Sequence, residues 1–189
     1  LPPDAVVEMF VTINSKHTKL NPSLLLTLSG QKLFADERNA RVHDIIKLLN
    51  DDERSPLRGD IKMLGVGPGR VAQSGLAQEL RRVLDDIRRD AGGAAWVDAF
   101  EQVAPQLYNH YFQEVAKAFS DAWGRPDYST HSLLALRAFI QASREVFRSV
   151  FALDGDPRAA ITESVAPWKT RVGSARFETA GRGREPAVG

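Results

Sequence analysis

The stretch Trp96-Val97-Asp98-Ala99-Phe100-Glu101-Gln102-Val103-Ala104-Pro105-Gln106-Leu107-Tyr108-Asn109-His110-Tyr111 decides the fold class. Its apolar residues, continued by Val115, Ala118, Phe119 and Ala122, return every three or four positions. That is the period of a helix with one buried stripe. A long helix is therefore expected over about residues 94–122, with Pro105 able to kink or divide it. Downstream, Ser129 or Thr130 opens a second long helix to about Phe151, with Leu133, Leu136, Phe139, Ile140, Val146, Phe147 and Val150 inward. Upstream, Leu76, Leu80, Val83, Leu84 and Ile87 mark a helix over about 75–90 capped by Ser74. Val42, Ile45, Ile46 and Leu49 mark another over about 35–50. Val6, Val7, Phe10 and Ile13 predict a first helix over about 3–14, and Asn21-Pro22 starts a short one that ends at Gly30.

Two short stretches break the helical period. Ile61-Lys62-Met63-Leu64 and Arg70-Val71-Ala72-Gln73 read as strands, and Gly65-Val66-Gly67-Pro68-Gly69 between them predicts a β-hairpin. A short helix is expected around 158–165, and residues 178–189 read as a loop or frayed tail. The expected class is α+β, predominantly α-helical, with one small hairpin and a long-helix bundle. The expected division is 1–91, a helical bundle region over 92–177 packed on it, and the tail, with Asp90–Gly93 as the boundary.

The 189 residues carry 25 Lys and Arg against 24 Asp and Glu, a formal net charge of +1. Such a balance gives no global field for nucleic acid, so an anion site has to come from local clustering. Without cysteine, disulfides, thiolate catalysis and the commonest zinc sets are excluded. No run approaches the ~20 apolar residues of a membrane span, and no signal peptide is visible, so a cytoplasmic location with no membrane partner is expected. The chain starts at Leu1 with residues that already read as helix. An N-terminal part of a longer protein is expected to precede it.

Phe10-Val11-Thr12-Ile13-Asn14, the lysine-rich turn after it and the Leu24–Leu28 helix resemble the part of DGQHR-domain proteins that follows their name-giving motif. Leu49-Asn50-Asp51-Asp52-Glu53-Arg54-Ser55-Pro56-Leu57, running into Gly59-Asp60-Ile61-Lys62-Met63, resembles the same family, as does the strand-then-helix unit from Arg70. The likeness covers about residues 4–90. It implies a fold similar to the ParB and sulfiredoxin superfamily, so that residues 1–91 would complete a ParB-like domain. It also implies a place among DNA phosphorothioation and other DNA-modification or defence loci. Members are associated with DNA binding, transcriptional control and nucleotide hydrolysis or nicking. No Asp-Gly-Gln-His-Arg string occurs here. The motif that carries the acid and the phosphate-facing Arg would lie upstream of Leu1 or on a sister subunit, or this is an inactive or purely binding relative. ATP or GTP with Mg would then belong to the full protein, the ion arriving with the nucleotide phosphates, and this chain alone would be inactive.

The candidate site follows the first expected helix. Phe10 and Asn14 lie one turn apart on a shared face. Phe10 would wall the site while Asn14 bonds a phosphate or sugar; alternatively Asn14 only caps the helix. Lys16, His17 and Lys19 could contact phosphate, with Lys62 and Arg70 extending the patch, or the turn cations could simply complement a helix C-terminus for about 0.3–1 kcal/mol. The glycine loop before Arg70 fits neither phosphate-loop spacing, and Pro68 removes a donor. Arg81, Arg82, Arg88 and Arg89 alternate with Glu79, Asp85, Asp86 and Asp90, which predicts a solvent face laced by i,i+3 and i,i+4 ion pairs. The spacing of His43, His110 and His131 suggests no metal. Trp96, Trp123 and Trp168 read as core or helix contacts, although Trp168 beside Lys169 and Arg171 would also suit a nucleic-acid base. The rival to a DNA-binding protein is a helical module over 94–151 that dimerises, giving a homo-oligomer, or docks a protein partner.

Overall fold

The apolar stripes become helices close to where their period places them. The computed structural model describes residues 37–63, 67–92, 96–151 and 155–179. In chain order these form α1 (Glu37–Asp51), β1 (Ile61–Lys62), β2 (Val71–Ala72), α2 (Gln73–Asp90), α3 (Trp96–Ala118), α4 (Leu133–Phe151), α5 (Pro157–Val165) and α6 (Trp168–Arg171). A 3₁₀ turn, Ser174–Phe177, follows. The fold is α+β and predominantly helical. The helices expected over 3–14 and from Asn21 to Gly30 lie outside the described residues, as do residues 180–189. No helix among the described residues is long and apolar enough to cross a membrane.

The principal helix contacts close a ring. α1 packs on α2 and α3, α2 on α4, and α5 joins α4 back to α3. Aromatic residues fill its centre. Phe100, Tyr108 and Tyr111 of α3 surround Phe147 of α4, with ring centroids 4.9–5.9 Å apart. Burying one such side chain contributes about 1.5–3 kcal/mol, so α3 is the largest single supplier of core. Tyr111 donates its hydroxyl to the Phe139 carbonyl at 2.6 Å, and Ser143 reaches the Tyr108 hydroxyl at 3.2 Å. Burial pushes both phenols up in pKa, so they stay neutral in the core. α3 runs through Pro105 as one helix. Val103, expected on the stripe, is 44% exposed.

Several local expectations change. The two strands form, but parallel rather than as a hairpin, pairing Ile61 with Val71 and Lys62 with Ala72. The cause is at Asp60 and Gly69. The Asp60 carbonyl accepts from the backbone N–H groups of both Arg70 (2.7 Å) and Val71 (3.1 Å). Gly69 lies so close beneath that a Cβ there would meet the backbone of Asp60 and Ile61 at 2.7 Å. That close approach of Gly69 lets β2 enter beside β1 in the same direction. α2 has no side-chain cap; Ala72 precedes it, not Ser74. α4 starts at Leu133, where Ser132 Oγ accepts from Ala135 N–H. The expected caps Ser129 and Thr130 are used elsewhere. Ser129 donates to the Phe177 carbonyl, and Thr130 is buried under the connection between α3 and α4. Glu178 bridges Tyr128, and Thr179 N–H donates to the Asp127 carbonyl. The chain is therefore still tied down at 178–179, where a tail was expected.

A polar seam joins α2 to α4. Glu79, 1% exposed, accepts from Arg137 at 3.0 Å and from Gln141 at 2.9 Å. Further along, Arg144 reaches Asp86 at 3.6 Å and Asp90 at 2.6 Å. A buried carboxylate is tolerated only while its partners stay. Arg137→Ala should cost about 2–4 kcal/mol in chemical denaturation, because Glu79 is left with one amide and a distant guanidinium; a change under about 0.5 kcal/mol would mean water reaches Glu79. Gly69→Ala should cost about 1–3 kcal/mol in the same assay, since its Cβ meets backbone rather than a movable side chain. An unchanged midpoint there would contradict the close approach.

Candidate anion-binding cleft

Helical spacing sets the cleft. On α1, Arg38, Asn39, Arg41 and Val42 share the edge that faces α2. On α2, Arg81, Leu84, Asp85 and Arg88 recur at three- and four-residue intervals and face back. Glu101 of α3 closes one end, and the space between is about 340 Å³. Val42 and Leu84 give it an apolar floor beneath four guanidiniums and two carboxylates.

The cations are not equally neutralised. Arg88 donates to Glu101 from Nε at 3.0 Å and from Nη2 at 2.5 Å, and that contact raises the Arg88 pKa. Arg38 pairs with Asp85 at 3.3 Å, with both side chains more than half exposed. Such a pair is worth about 0–1 kcal/mol and yields readily to a competing anion. Arg81 gives its Nε–H to Asn39 Oδ1 at 2.7 Å, a neutral acceptor that leaves the charge uncompensated. Arg41 has no ion pair among the described residues. Two positive charges are therefore held half-buried in a concave site without an ion-pair partner among the described residues, which suits a phosphate or another small dianion.

This corrects the solvent-face expectation for α2. Arg82 and Arg89 do form i,i+3 pairs, with Glu79 and Asp86. Arg81, Asp85 and Arg88 instead take partners on α1 and α3. The local pairing rule assumes that solvent is the competitor; here a packed neighbour was closer.

Of the residues singled out in the sequence, Phe10, Asn14, Lys16, His17 and Lys19 lie outside the described residues. Lys62 is half-buried on β1, one register step from Ile61. Arg70 is exposed and reaches Asp60 from Nε at 3.4 Å. Neither Lys62 nor Arg70 lines the cleft. Trp168 packs edge-on against Tyr111, centroids 6.1 Å apart, at the rim of the core, which supports its reading as a helix contact. His43 meets Gln73 in the interior at 3.2 Å, and its pKa is lowered by burial. His110 sits by the Arg158 carbonyl (3.1 Å) and the Thr162 hydroxyl (3.3 Å). Among the described residues no group of His, Asp and Glu is arranged to hold a metal ion.

Arg38, Asn39 and Arg41 carry no motif in the sequence. The available signal was weak: the basic edge of α1 aligns with that of α2 only once the two helices pack. No family model, no curated protein and no solved structure matches this chain.

Proposed function

We propose that this chain is the DNA-engaging part of a DGQHR-type protein, cytoplasmic and linked to DNA modification or defence. In this reading the cleft between α1, α2 and α3 receives backbone phosphate. The observation that carries it is the uncompensated charge of Arg41 and Arg81 in a concave, partly apolar site. The resemblance of Phe10–Asn14 and Leu49–Met63 to that family supplies the nucleic-acid class. Lys16, His17 and Lys19 would hold a second stretch of backbone, and phosphate contacts of this kind position the duplex without reading its sequence. Any nucleotide hydrolysis or nicking would use the acid and Arg of the DGQHR motif, which this chain lacks.

The rival, a helical docking module, has less behind it. Among the described residues the exposed large apolar side chains are Val103, Leu133, Leu134 and Val172, drawn from three separate segments, and scattered apolar residues are ordinary surface.

DNA binding measured across a salt series tests the proposal. The slope of log affinity against log salt should become shallower by about 0.9 for each of Arg41→Ala and Arg81→Ala, the value for one lost phosphate contact. Lys16→Ala/Lys19→Ala should behave likewise at the other stretch. Absence of binding at low salt by the folded chain would remove the DNA reading. Binding with unchanged slopes for the two Arg variants would move the contact away from the cleft.

A further inference from the structure

Away from the cleft, three segments converge on one buried imidazole. His131, in the connection between α3 and α4, is 8% exposed. Its Nδ1 bonds the Asp60 carboxylate, seventy-one positions earlier in the chain. Trp123 lies edge-on to the imidazole with centroids 4.8 Å apart and anchors its own indole N–H on the Pro56 carbonyl at 3.2 Å. Gly124, at φ +70°, passes the far edge of the ring; even a Cβ there would stand 3.5 Å from Cε1 and Nε2. The result is an asymmetric imidazole. One nitrogen has a carboxylate, while Nε2 is buried with no hydrogen-bond partner among the described residues.

That asymmetry selects a protonation state. Asp60 accepts only, so Nδ1 must carry the proton. In the neutral ring Nε2 is then a bare lone pair, whose burial costs far less than that of an unpaired N–H on a cation. The charges agree. Asp60 and Arg70 are the charged groups facing His131 among the described residues. Arg70 already balances Asp60, so the cluster is neutral with a neutral ring and gains an uncompensated positive charge when the ring is protonated.

We propose that the Asp60–His131 contact is an acid-sensitive latch, closed with a neutral imidazole and released by its protonation, that holds the α3–α4 connection onto residues 56–60. The same contact supports the strand pair, since Asp60 carries the carbonyl to which Arg70 and Val71 donate. Desolvation lowers the His131 pKa below its ordinary 6.5, outweighing the opposing pull of Asp60, with Arg70 adding to the lowering. The sign follows. The open state binds a proton at the ordinary value and the closed state only at lower pH. The latch is therefore fully closed above about 6.5 and loses free energy as pH falls below it.

Long-range proton–nitrogen spectra of the full chain test the state of the ring, with His131 assigned by its loss in His131→Asn. The neutral Nδ1–H tautomer and a midpoint below 6.5 are expected; an Nε2–H tautomer, or a midpoint at or above 6.5, overturns the proposal. Hydrogen exchange tests the consequence. Corrected for intrinsic rates, opening around Ala122–Leu136 and at the Arg70 and Val71 amides should rise on going from about pH 7 to about pH 5. The rise should be about tenfold per unit of lowered pKa. In His131→Asn, which keeps a donor to Asp60 but cannot titrate, exchange should be flat over that range. Equal acid sensitivity in the variant overturns the latch. Should the variant not fold, the wild-type map decides alone: a rise confined to these two segments supports the latch, and a uniform rise refutes it.

Discussion

A carboxylate with almost no access to water fixes how this molecule is assembled. Glu79 stands on α2 where α4 covers it, and such a charge persists only if the covering helix supplies cations and donors in register. Arg137 and Gln141, four residues apart on α4, do so. Seven and eleven positions beyond Glu79, Asp86 and Asp90 meet Arg144, again one helical face against another. A seam of this kind resists both rotation and sliding, because a shift of one residue would separate every pair at once. The aromatic centre around Phe147 supplies more free energy, but apolar contacts tolerate repacking. The seam supplies orientation.

Once the acidic edge of α2 is committed to α4, helical periodicity leaves no freedom for the rest of the helix. Leu76, Leu80, Val83 and Ile87 turn inward, and Arg81, Asp85 and Arg88 must emerge on the side facing α1 and α3. The basic cleft follows from a pairing made on the far side of the same helix. This also explains why its charges are unevenly met. Acidic residues at 79, 86 and 90 face α4, so among the described residues Asp85 and Glu101 alone remain to face four guanidiniums. A site so built keeps net positive charge without needing a basic protein around it, and the overall balance of +1 conceals it.

What could be read from the sequence divides along the same line. The stripe Val42, Ile45, Ile46 and Leu49 and the stripe through Phe100, Leu107, Tyr111 and Val115 were legible because their period is local and burial follows it. The direction of β2 was not. A glycine-rich loop between two short apolar runs ordinarily means a hairpin, and only the approach of Gly69 to the Asp60 backbone turns the second strand around. Ser74 and Ser129 were plausible caps that lost to other constraints, one to a helix beginning earlier and the other to the docking of Phe177. The candidate cleft was half visible. Arg81 and Arg88 mark a basic face in the sequence, but the local rule pairs them within α2, because spacing along one helix says nothing about the charges on its neighbours.

The Asp60–His131 contact is the extreme of that non-locality, and it links the two halves of the fold in a way the apolar core does not. The apolar contacts around Phe147 respond weakly to pH, since the Phe100 and Phe147 rings do not titrate and the Tyr108 and Tyr111 phenols are held neutral by burial. The α3–α4 connection is held differently. Trp123 reaches Pro56, His131 reaches Asp60, and Asp60 in turn organises the start of β2, from which α2 departs. Any change at His131 is thus applied to the entry of the helix that carries both the Glu79 seam and two of the four cleft arginines, Arg81 and Arg88. The core can stay intact while that entry loosens, because the hydrogen bonds at risk are few and lie outside the helices. Opening of this connection is therefore a local event, separable from global unfolding, and the route by which it reaches Arg81 runs through β2 and the first turn of α2.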